Sequence, residues 1–357
     1  MSESGCIHFL KAGYGDAFIL HCRKGENTGI VVVDGGQGVN PRMNQFLHEI
    51  ELIDSIDLMV LTHPDDDHLD GIRKYFEKHL NDSDLKVKKI WANCAANIII
   101  NTNNDVSPRK AEKLSNILEN LVTQNKIVWE SDVVVGHEPI SLPSGDIEII
   151  GPTPNAFNDF MEKYRNDIGY TGEINAIDVS ARDFDGDFNT EMSELAKRDK
   201  TSRNSRDDVY NASSISFILR CDDFSILMLG DSFASGIYEC LKQLGYSQDS
   251  PLKVDYVKMP HHGSANNINN DLLNIIDCQN FLISTNGYRY RHPDREALAN
   301  VLCHPARDLG KTVHFYFNYP LEIVESAGEH LFNKNIDKDL NFCVHEPING
   351  ESGLMLN

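Results

Sequence analysis

A layered α/β fold is predicted by two features of the sequence. Short apolar runs alternate with amphipathic helical stretches, and most of the apolar runs end in a cluster of polar residues. Strands that alternate with helices pack as layers, and loops at strand ends commonly carry function. The chain has 357 residues, of which 41% are hydrophobic and 24% are charged, so it is long enough to bury a substantial core.

The first third of the chain is predicted to alternate strands with helices. Strand candidates are runs of apolar residues bounded by turn residues, whereas helix candidates repeat apolar residues near a 3.6-residue period. The predicted strands cover 6–10, 17–20, 29–33, 57–62, 88–92 and 127–129, and the predicted helices cover 40–53, 72–80 and 108–125.

A long polar insertion is predicted after the next strand, at 147–150. We interpret residues 155–210 as this insertion, with some helix, and as a surface for a partner protein. The later predicted elements are strands at 214–220, 225–229, 254–259, 280–284 and 312–317 and a helix at 294–302. We therefore expect a domain over residues 1–320 and a C-terminal extension over 321–357.

Charge and cysteine usage limit the class of protein. The net charge of −21, from 54 acidic and 33 basic residues, disfavours a broad grip on duplex nucleic acid, which needs many Lys and Arg contacts to phosphate. Residues 86–89 and 289–291 are short basic segments.

The eight Cys lack C-x-x-C spacing and are expected to be reduced. Without an apolar membrane span or a signal peptide, we expect a cytoplasmic protein with no membrane partner.

The strongest chemical signal is the segment T-H-P-D-D-D-H-L-D-G at residues 62–71, directly after an apolar strand. We expect His63, Asp65, Asp67 and His68 to converge from one extended or turning segment. Imidazole and carboxylate groups are ligands for Zn, Mn or Fe. A solvated acidic turn is the alternative, and it is disfavoured by the buried strand that precedes the segment and by the small residue Gly71.

Two further strand ends supply residues of the same kind. Asp231 follows an apolar strand and Gly230, where an unpaired carboxylate is costly. His261 and His262 follow another apolar strand. Taken singly, a helix N-cap for Asp231 and a surface pair for the two His residues are equally good interpretations. Taken with the first cluster, they predict a site for two metal ions.

These segments together resemble the metallo-β-lactamase fold, whose first signature is H-x-H-x-D-H after a strand. Asp65 replaces the second His here, and the resulting H-x-D-x-D-H resembles the hydrolase domain of the DNA-uptake competence protein ComEC. Further segments match that subgroup in order, at 13–20, 32–36, 211–215, 227–231, 258–264 and 291–293. The resemblance spans about residues 6–305 and implies a four-layer αββα architecture.

The resemblance also implies a site for two divalent metal ions, Zn or Mn. His63 and Asp65 would hold one ion, Asp67 and His68 the other, and Asp231 both. The remaining implied ligands are His262 or His261 for the second site and Asn211 for the first, with His137 as a weaker alternative to Asn211. Asp34 would orient a ligand, and Asp16 either does the same or only forms a turn.

Phosphodiester hydrolysis is the activity that the resemblance implies, on DNA, RNA or small nucleotides, in a bacterial defence or competence-related module. Asp67 is expected to orient the attacking water or relay its proton. His292 is expected to donate to a phosphate oxygen or the leaving group, or else to be structural. Two alternatives stay open: hydrolysis of a lactone, thioester or β-lactam, and a regulatory scaffold that binds a partner protein.

Overall fold

Alternating strands and helices fill the first half of the chain, as their apolar patterning predicts. The computed structural model describes residues 4–37, 44–94, 107–169, 187–198, 208–327, 330–348 and 350–357. Up to residue 169 the elements are β1 (Cys6–Leu10), β2 (Phe18–Lys24), β3 (Asn27–Val33), α1 (Asn44–Glu51), β4 (Leu58–Leu61), α2 (Asp66–His79), β5 (Lys89–Ala92), α3 (Ser107–Thr123), β6 (Val128–Glu130), β7 (Ile140–Leu142), β8 (Gly145–Gly151) and α4 (Pro154–Gly169).

The second half contains shorter helices and completes both large sheets. Its elements are α5 (Met192–Leu195), α6 (Val209–Ala212), β9 (Ser216–Arg220), β10 (Ser225–Met228), α7 (Ala234–Gln243), β11 (Leu252–Lys253), β12 (Tyr256–Lys258), α8 (Asn270–Leu273), β13 (Ile276–Asp277), β14 (Asn280–Ile283), α9 (Arg295–Cys303), β15 (Val313–Phe317), α10 (Leu321–Ala327), β16 (Phe342–His345) and β17 (Gly353–Leu356). A 3₁₀ turn spans Pro260–Gly263.

Two large mixed sheets contain most of the strands. The first has the order β17-β1-β2-β3-β4-β5-β6 and is parallel from β3 to β6. The second has the order β16-β15-β14-β12-β10-β9-β8-β7 and is parallel from β10 to β16. Because parallel strands end at the same edge of a sheet, the polar residues that follow β10, β12 and β14 are brought together.

The predicted four-layer αββα architecture is confirmed by three separate apolar cores. Residues such as Phe9, Trp91 and Phe217 fill the space between the two sheets. Helices α1 to α4 cover the outer face of the first sheet, and helices α7 to α9 cover that of the second. Each sheet thus buries both of its faces, which explains why its strands are almost continuously apolar.

The prediction that residues 63–68 form one extended or turning segment is wrong at its C-terminal part. Helix α2 begins at Asp66, with Asp65 as its N-cap, so Asp67 and His68 lie in the first helical turn. Carboxylates at a helix N-terminus are favoured by the helix dipole. Leu69, Ile72 and Phe76 then follow at helical spacing and are buried. The helical spacing of apolar residues therefore starts at Leu69, three residues before the predicted start of the helix at residue 72.

Parts of the predicted insertion belong to the core. Helix α4 buries Phe160 and Tyr164 against the first sheet, and α5 buries Met192 and Leu195 on the second. Residues 170–186 and 199–207 lie outside the described residues, and so does the start of the helix predicted at 40–53. The use of 155–210 as a partner surface stays a prediction.

The chain after residue 320 contributes a strand to each sheet. Strand β16 pairs in parallel with β15, and β17 pairs antiparallel with β1. The buried Arg295 also donates to both carboxylate oxygens of Asp337, at 2.9 and 3.0 Å. These contacts attach residues 321–357 to the layers, while the predicted division at residue 320 stays a prediction. No helix in the described part of the chain is both long and apolar enough to cross a membrane.

Candidate metal centre

Three buried imidazoles converge on one carboxylate at the meeting point of the two sheets. The Nε2 atoms of His68 and His262 each lie 3.5 Å from Asp231 Oδ2, and that of His63 lies 3.9 Å from it. None of these Nε2 atoms has a hydrogen-bond partner among the described residues. A buried polar atom without a partner is costly. The three atoms are therefore arranged for a ligand that is electrophilic.

The donor atoms form four overlapping groups, and all ligand atoms in each group lie within 4.8 Å of one another. Two groups share His68 and contain the predicted ligands: the first is His63, His68 and Asp231, and the second is Asp67, His68 and His262. The other two contain Asp16, one with Asp231 and His262 and one with Asp34 and His68. Asp67 Oδ2 lies 3.3 Å from His262 Nε2. Ligands about 2.0–2.2 Å from a cation lie at most about 4.4 Å apart, so these measured separations suit shared coordination with small adjustments. The residues present therefore fit divalent metal ions.

Asp65 lies beside the first group. Its Oδ2 is 3.8 Å from His63 Nε2. Burial and the neighbouring carboxylates of Asp67 and Asp208 raise the pKa of Asp65 well above its usual value. A carboxyl group in this position gains from a nearby cation, which would offset the repulsion between the carboxylates.

Hydrogen bonds at the Nδ1 atoms, on the side of each ring away from Asp231, orient the imidazoles of His68 and His262. His262 Nδ1 donates to the carbonyl oxygen of Ser284 at 2.9 Å, so the neutral form of this imidazole has its lone pair on Nε2. His68 Nδ1 lies 2.8 Å from Asp34 Oδ2. Asp34 in turn accepts from the backbone N–H and the hydroxyl of Thr62, each at 2.8 Å. Such outer hydrogen bonds are typical of metal-binding His residues.

A buried lysine that the sequence reasoning missed stabilises the carboxylates. Lys258, at the end of β12, pairs with Asp16 and lies 3.5 Å from Asp231 Oδ1. Its Nζ also donates to the carbonyl oxygen of Gly230 at 3.0 Å. Asp16 Oδ1 lies 3.3 Å from His262 Nδ1, so Asp16 connects the lysine to a candidate ligand. A lysine inside an apolar strand was the available signal, because such a charge needs a buried partner.

Protons balance the charge of the cluster in the absence of cations. Burial opposes protonation of His68, yet the carboxylates of Asp231, Asp34 and Asp67 hold its pKa well above its usual value. The carboxylates of Asp231 and Asp16 likewise raise the pKa of His262 despite its burial. His63 differs, because burial and the neighbouring His68 lower its pKa to about 3. Cations bound here would displace protons from His68 and His262.

An unusual backbone conformation aims the two His residues after β12. His261 and His262 have φ angles of 47° and 56°, and Gly263 follows at 88°. Side chains other than Gly rarely adopt this left-handed region, and such strain is concentrated at functional sites. The turn directs both imidazoles towards Asp231, with His261 Nε2 at 3.8 Å from Oδ2. Of the two, only His262 belongs to the compact groups of donor atoms.

Close backbone packing holds helix α2 against the loop after β3. A β-carbon at Gly71 would overlap the backbone of Gly35. A β-carbon at Gly35 would overlap the backbone nitrogen of Ile72. Gly15 similarly lies against the carbonyl of Asp67. These glycines allow three segments to approach at the positions from which His68 and Asp67 extend.

Two of the remaining predicted residues, Asn211 and His292, lie beside His261. Asn211 Nδ2 donates to Asp208 at 2.8 Å and lies 3.5 Å from His261 Nδ1, and its buried Oδ1 has no hydrogen-bond partner among the described residues. The ring of His292 is 5.3 Å from that of His261, and its Nδ1 is 3.3 Å from Asp294. His137, the weaker alternative to Asn211, instead lies beside Trp91 and Glu130, and it belongs to none of the groups of donor atoms among the described residues.

The chain matches no family model and no curated protein sequence. Its structure is similar to the metallo-β-lactamase fold protein YhfI from Bacillus subtilis, at 7% identity and a TM-score of 0.40, over 99% of this chain and 100% of that one. It is similar to Zn²⁺-bound PqqB from Methylobacterium extorquens, at 10% identity and a TM-score of 0.43, over 99% of each chain. A diphosphatase from the PhnP family matches at 12% identity and a TM-score of 0.39, over 99% and 97%. Because these identities and TM-scores are low, the fold class rests on the αββα layers, and the candidate metal centre rests on the cluster of donor atoms.

Proposed function

We propose that the chain is a metal-dependent hydrolase of the metallo-β-lactamase type that cleaves phosphodiesters and resembles the hydrolase domain of ComEC. The observation that supports this most is the convergence of three unpartnered imidazole Nε2 atoms on Asp231. The resemblance implies two ions, and the groups His63, His68, Asp231 and Asp67, His68, His262 support two neighbouring positions for them. We also propose a cytoplasmic location and a role in a bacterial defence or competence-related module.

The residues divide between two proposed metal sites. His63 and Asp65 would hold the first ion, with Asn211 at its edge. Asp67, His68 and His262 would hold the second, and Asp231 would contact both. Carboxylate and imidazole ligands suit Mn or Zn without strong discrimination. When bound, such ions lower the pKa of an attacking water and stabilise negative charge on a phosphoryl oxygen.

Two side chains are proposed to handle the substrate and its protons. His68 and His262 hold the pKa of Asp67 below its usual value despite burial, so this carboxylate is ionised and can accept a hydrogen bond from the attacking water. His292 lies next to His261 at the rim, where it is proposed to donate a proton to the leaving oxygen. Positioned acid–base groups of this kind contribute about 10²–10⁴-fold to a rate.

The charge pattern favours single strands, short ends or small nucleotides as substrates. In the basic segment 86–89, Lys88 pairs with Asp57 and Lys89 with Glu130, at 2.6 and 2.8 Å. Lysines that are already paired offer little attraction to a duplex backbone. A substrate that reaches the centre would therefore be held by the site itself or with the help of a partner protein.

Hydrolysis of bis(p-nitrophenyl) phosphate, single-stranded DNA and double-stranded DNA by Mn- or Zn-loaded protein tests the proposal. We expect cleavage by the wild type and a loss of about 10²–10⁴-fold in Asp67→Ala. Asp82→Ala is the matched control, because Asp82 is an exposed carboxylate that pairs with His79. Cleavage of none of these phosphodiesters would overturn the proposal. Lactone hydrolysis would then favour an ester hydrolase, and a lack of metal binding would favour a scaffold.

A further inference from the structure

A cluster of one cation and two aromatic rings lies beside the proposed metal centre. The Arg289 guanidinium is 5.4 Å from the ring centroid of Tyr14 and 5.1 Å from that of Tyr290. Its Nη1 donates to the Tyr14 hydroxyl at 2.8 Å, and the two rings meet edge to face at 5.9 Å. A guanidinium that contacts two rings and bonds to one of them is limited to few orientations.

The cluster is adjacent to residues of the centre. The ring of Tyr290 is 6.2 Å from that of His292 and 6.4 Å from that of His261. A substrate bound at the proposed metal sites therefore has Arg289 next to it.

Arg289 differs from other arginines in what it pairs with. Arg23, Arg73, Arg220 and Arg295 each contact a carboxylate. Within the described ranges, the one hydrogen bond of Arg289 is the one to Tyr14, and its side chain is exposed. Among the described residues no carboxylate forms an ion pair with Arg289, although the chain has 54 acidic residues, so its other donors are left for an anionic ligand.

We propose that Arg289 binds a second phosphate of an oligonucleotide, the one next to the phosphodiester that is cleaved; this inference rests on the proposed function. The planar guanidinium matches two phosphate oxygens, and the rings of Tyr14 and Tyr290 keep it aimed. Tyr288, on the same loop and 77% exposed, presents a ring on which a neighbouring base stacks. Lactones and β-lactams have no phosphate next to the bond that is cleaved, so the cluster favours an oligonucleotide over these substrates.

A pair of trinucleotides isolates this contact. The first is the thymidine trinucleotide with two phosphodiesters, and the second has one of these replaced by an uncharged methylphosphonate. We expect wild type to favour the fully charged trinucleotide by about 10- to 100-fold in kcat/KM, through KM, as for a lost charge-assisted hydrogen bond. Arg289→Gln should remove this preference, and Arg289→Lys should keep part of it. Arg220→Gln, which loses the same charge at an arginine paired with Glu148, should keep all of it.

A binding measurement on metal-free protein decides the inference without hydrolysis. Fluorescence anisotropy of the two labelled trinucleotides should show tighter binding of the charged one by wild type and equal binding by Arg289→Gln. Equal binding of both by wild type, or an unchanged preference in Arg289→Gln, would overturn the role of Arg289. Hydrolysis of bis(p-nitrophenyl) phosphate by wild type tests the proposed function separately, because this substrate has one charge and no second phosphate.

Discussion

Replacing Asp34 with Asn should weaken metal binding by changing the proton on His68. Asp34 Oδ2 accepts from His68 Nδ1 and from the Thr62 hydroxyl, while Oδ1 accepts from the Thr62 N–H. In Asp34→Asn the side-chain amide oxygen takes the place of Oδ1 and still accepts the hydrogen bond from the Thr62 N–H. The amide NH₂ then takes the place of Oδ2 and faces His68. Nδ1 must then accept a hydrogen bond, which moves the imidazole proton to Nε2, the atom that faces Asp231.

The expected loss in metal affinity is about 10- to 100-fold, the usual effect of removing such an outer hydrogen bond. That loss of affinity corresponds to about 1.4–2.7 kcal/mol in the free energy of metal binding. Competition with a chromophoric chelator measures the affinity, and ¹⁵N chemical shifts of the imidazole report its tautomer. Asp57→Asn is the control, because Asp57 accepts from the backbone N–H of Ile30 outside the centre. Wild-type affinity in Asp34→Asn, with the lone pair still on Nε2, would refute the reasoning.

Three further predictions follow from charge and packing. Because the pKa values of His68 and His262 are raised, metal-free protein retains these protons at neutral pH, so metal binding should release protons and strengthen as pH rises; calorimetry in buffers of different ionisation enthalpy measures this. Lys258→Met should lower the free energy of unfolding of metal-free protein by about 3–5 kcal/mol in urea, by leaving buried carboxylates unpaired. Gly71→Ala should lower it by about 1–3 kcal/mol, whereas Gly236→Ala, in open space on α7, should raise it by about 0.4–1 kcal/mol.

Each of these predictions has an outcome that contradicts it. Proton uptake on metal binding would mean that His68 and His262 are neutral in metal-free protein. Wild-type stability of Lys258→Met would mean that the buried carboxylates do not need the lysine. Equal stability of the two alanine variants would mean that the contact between Gly71 and Gly35 is not tight.

The strands and the candidate ligands were readable from the sequence because both depend on local patterns. A buried strand is a run of apolar residues, and a polar residue directly after it is conspicuous, as for His63, Asp231 and His262. Their approach to within 3.9 Å was not readable from composition, because it depends on which strands pair in each sheet. The resemblance to a known motif supplied that information.

Features that depend on tertiary contacts were missed or misplaced. Lys258 looked like one charge in an apolar strand, and only the fold shows Asp16 beside it. The start of α2 was misplaced because the acidic residues at 65–67 look like a loop, although they favour a helix N-terminus. Strands β16 and β17 are short and pair with distant segments, so the sequence around them has little signal.

The guanidinium of Arg289 illustrates a further limit. The sequence indicated a basic segment at 289–291 and another at 86–89, with nothing to separate them. The structure shows Lys88 and Lys89 paired with carboxylates and Arg289 packed on aromatic rings instead. Whether a cation is available to a ligand depends on its neighbours in space.

Anomalous diffraction from crystals loaded with Mn or Zn tests the central claim most directly. We predict two peaks per chain, one among His63, Asp65 and Asp231 and the other among Asp67, His68 and His262. His262→Ala should lose the second peak and keep the first. Loaded crystals without a peak at Asp231 would contradict the existence of a metal centre in this protein.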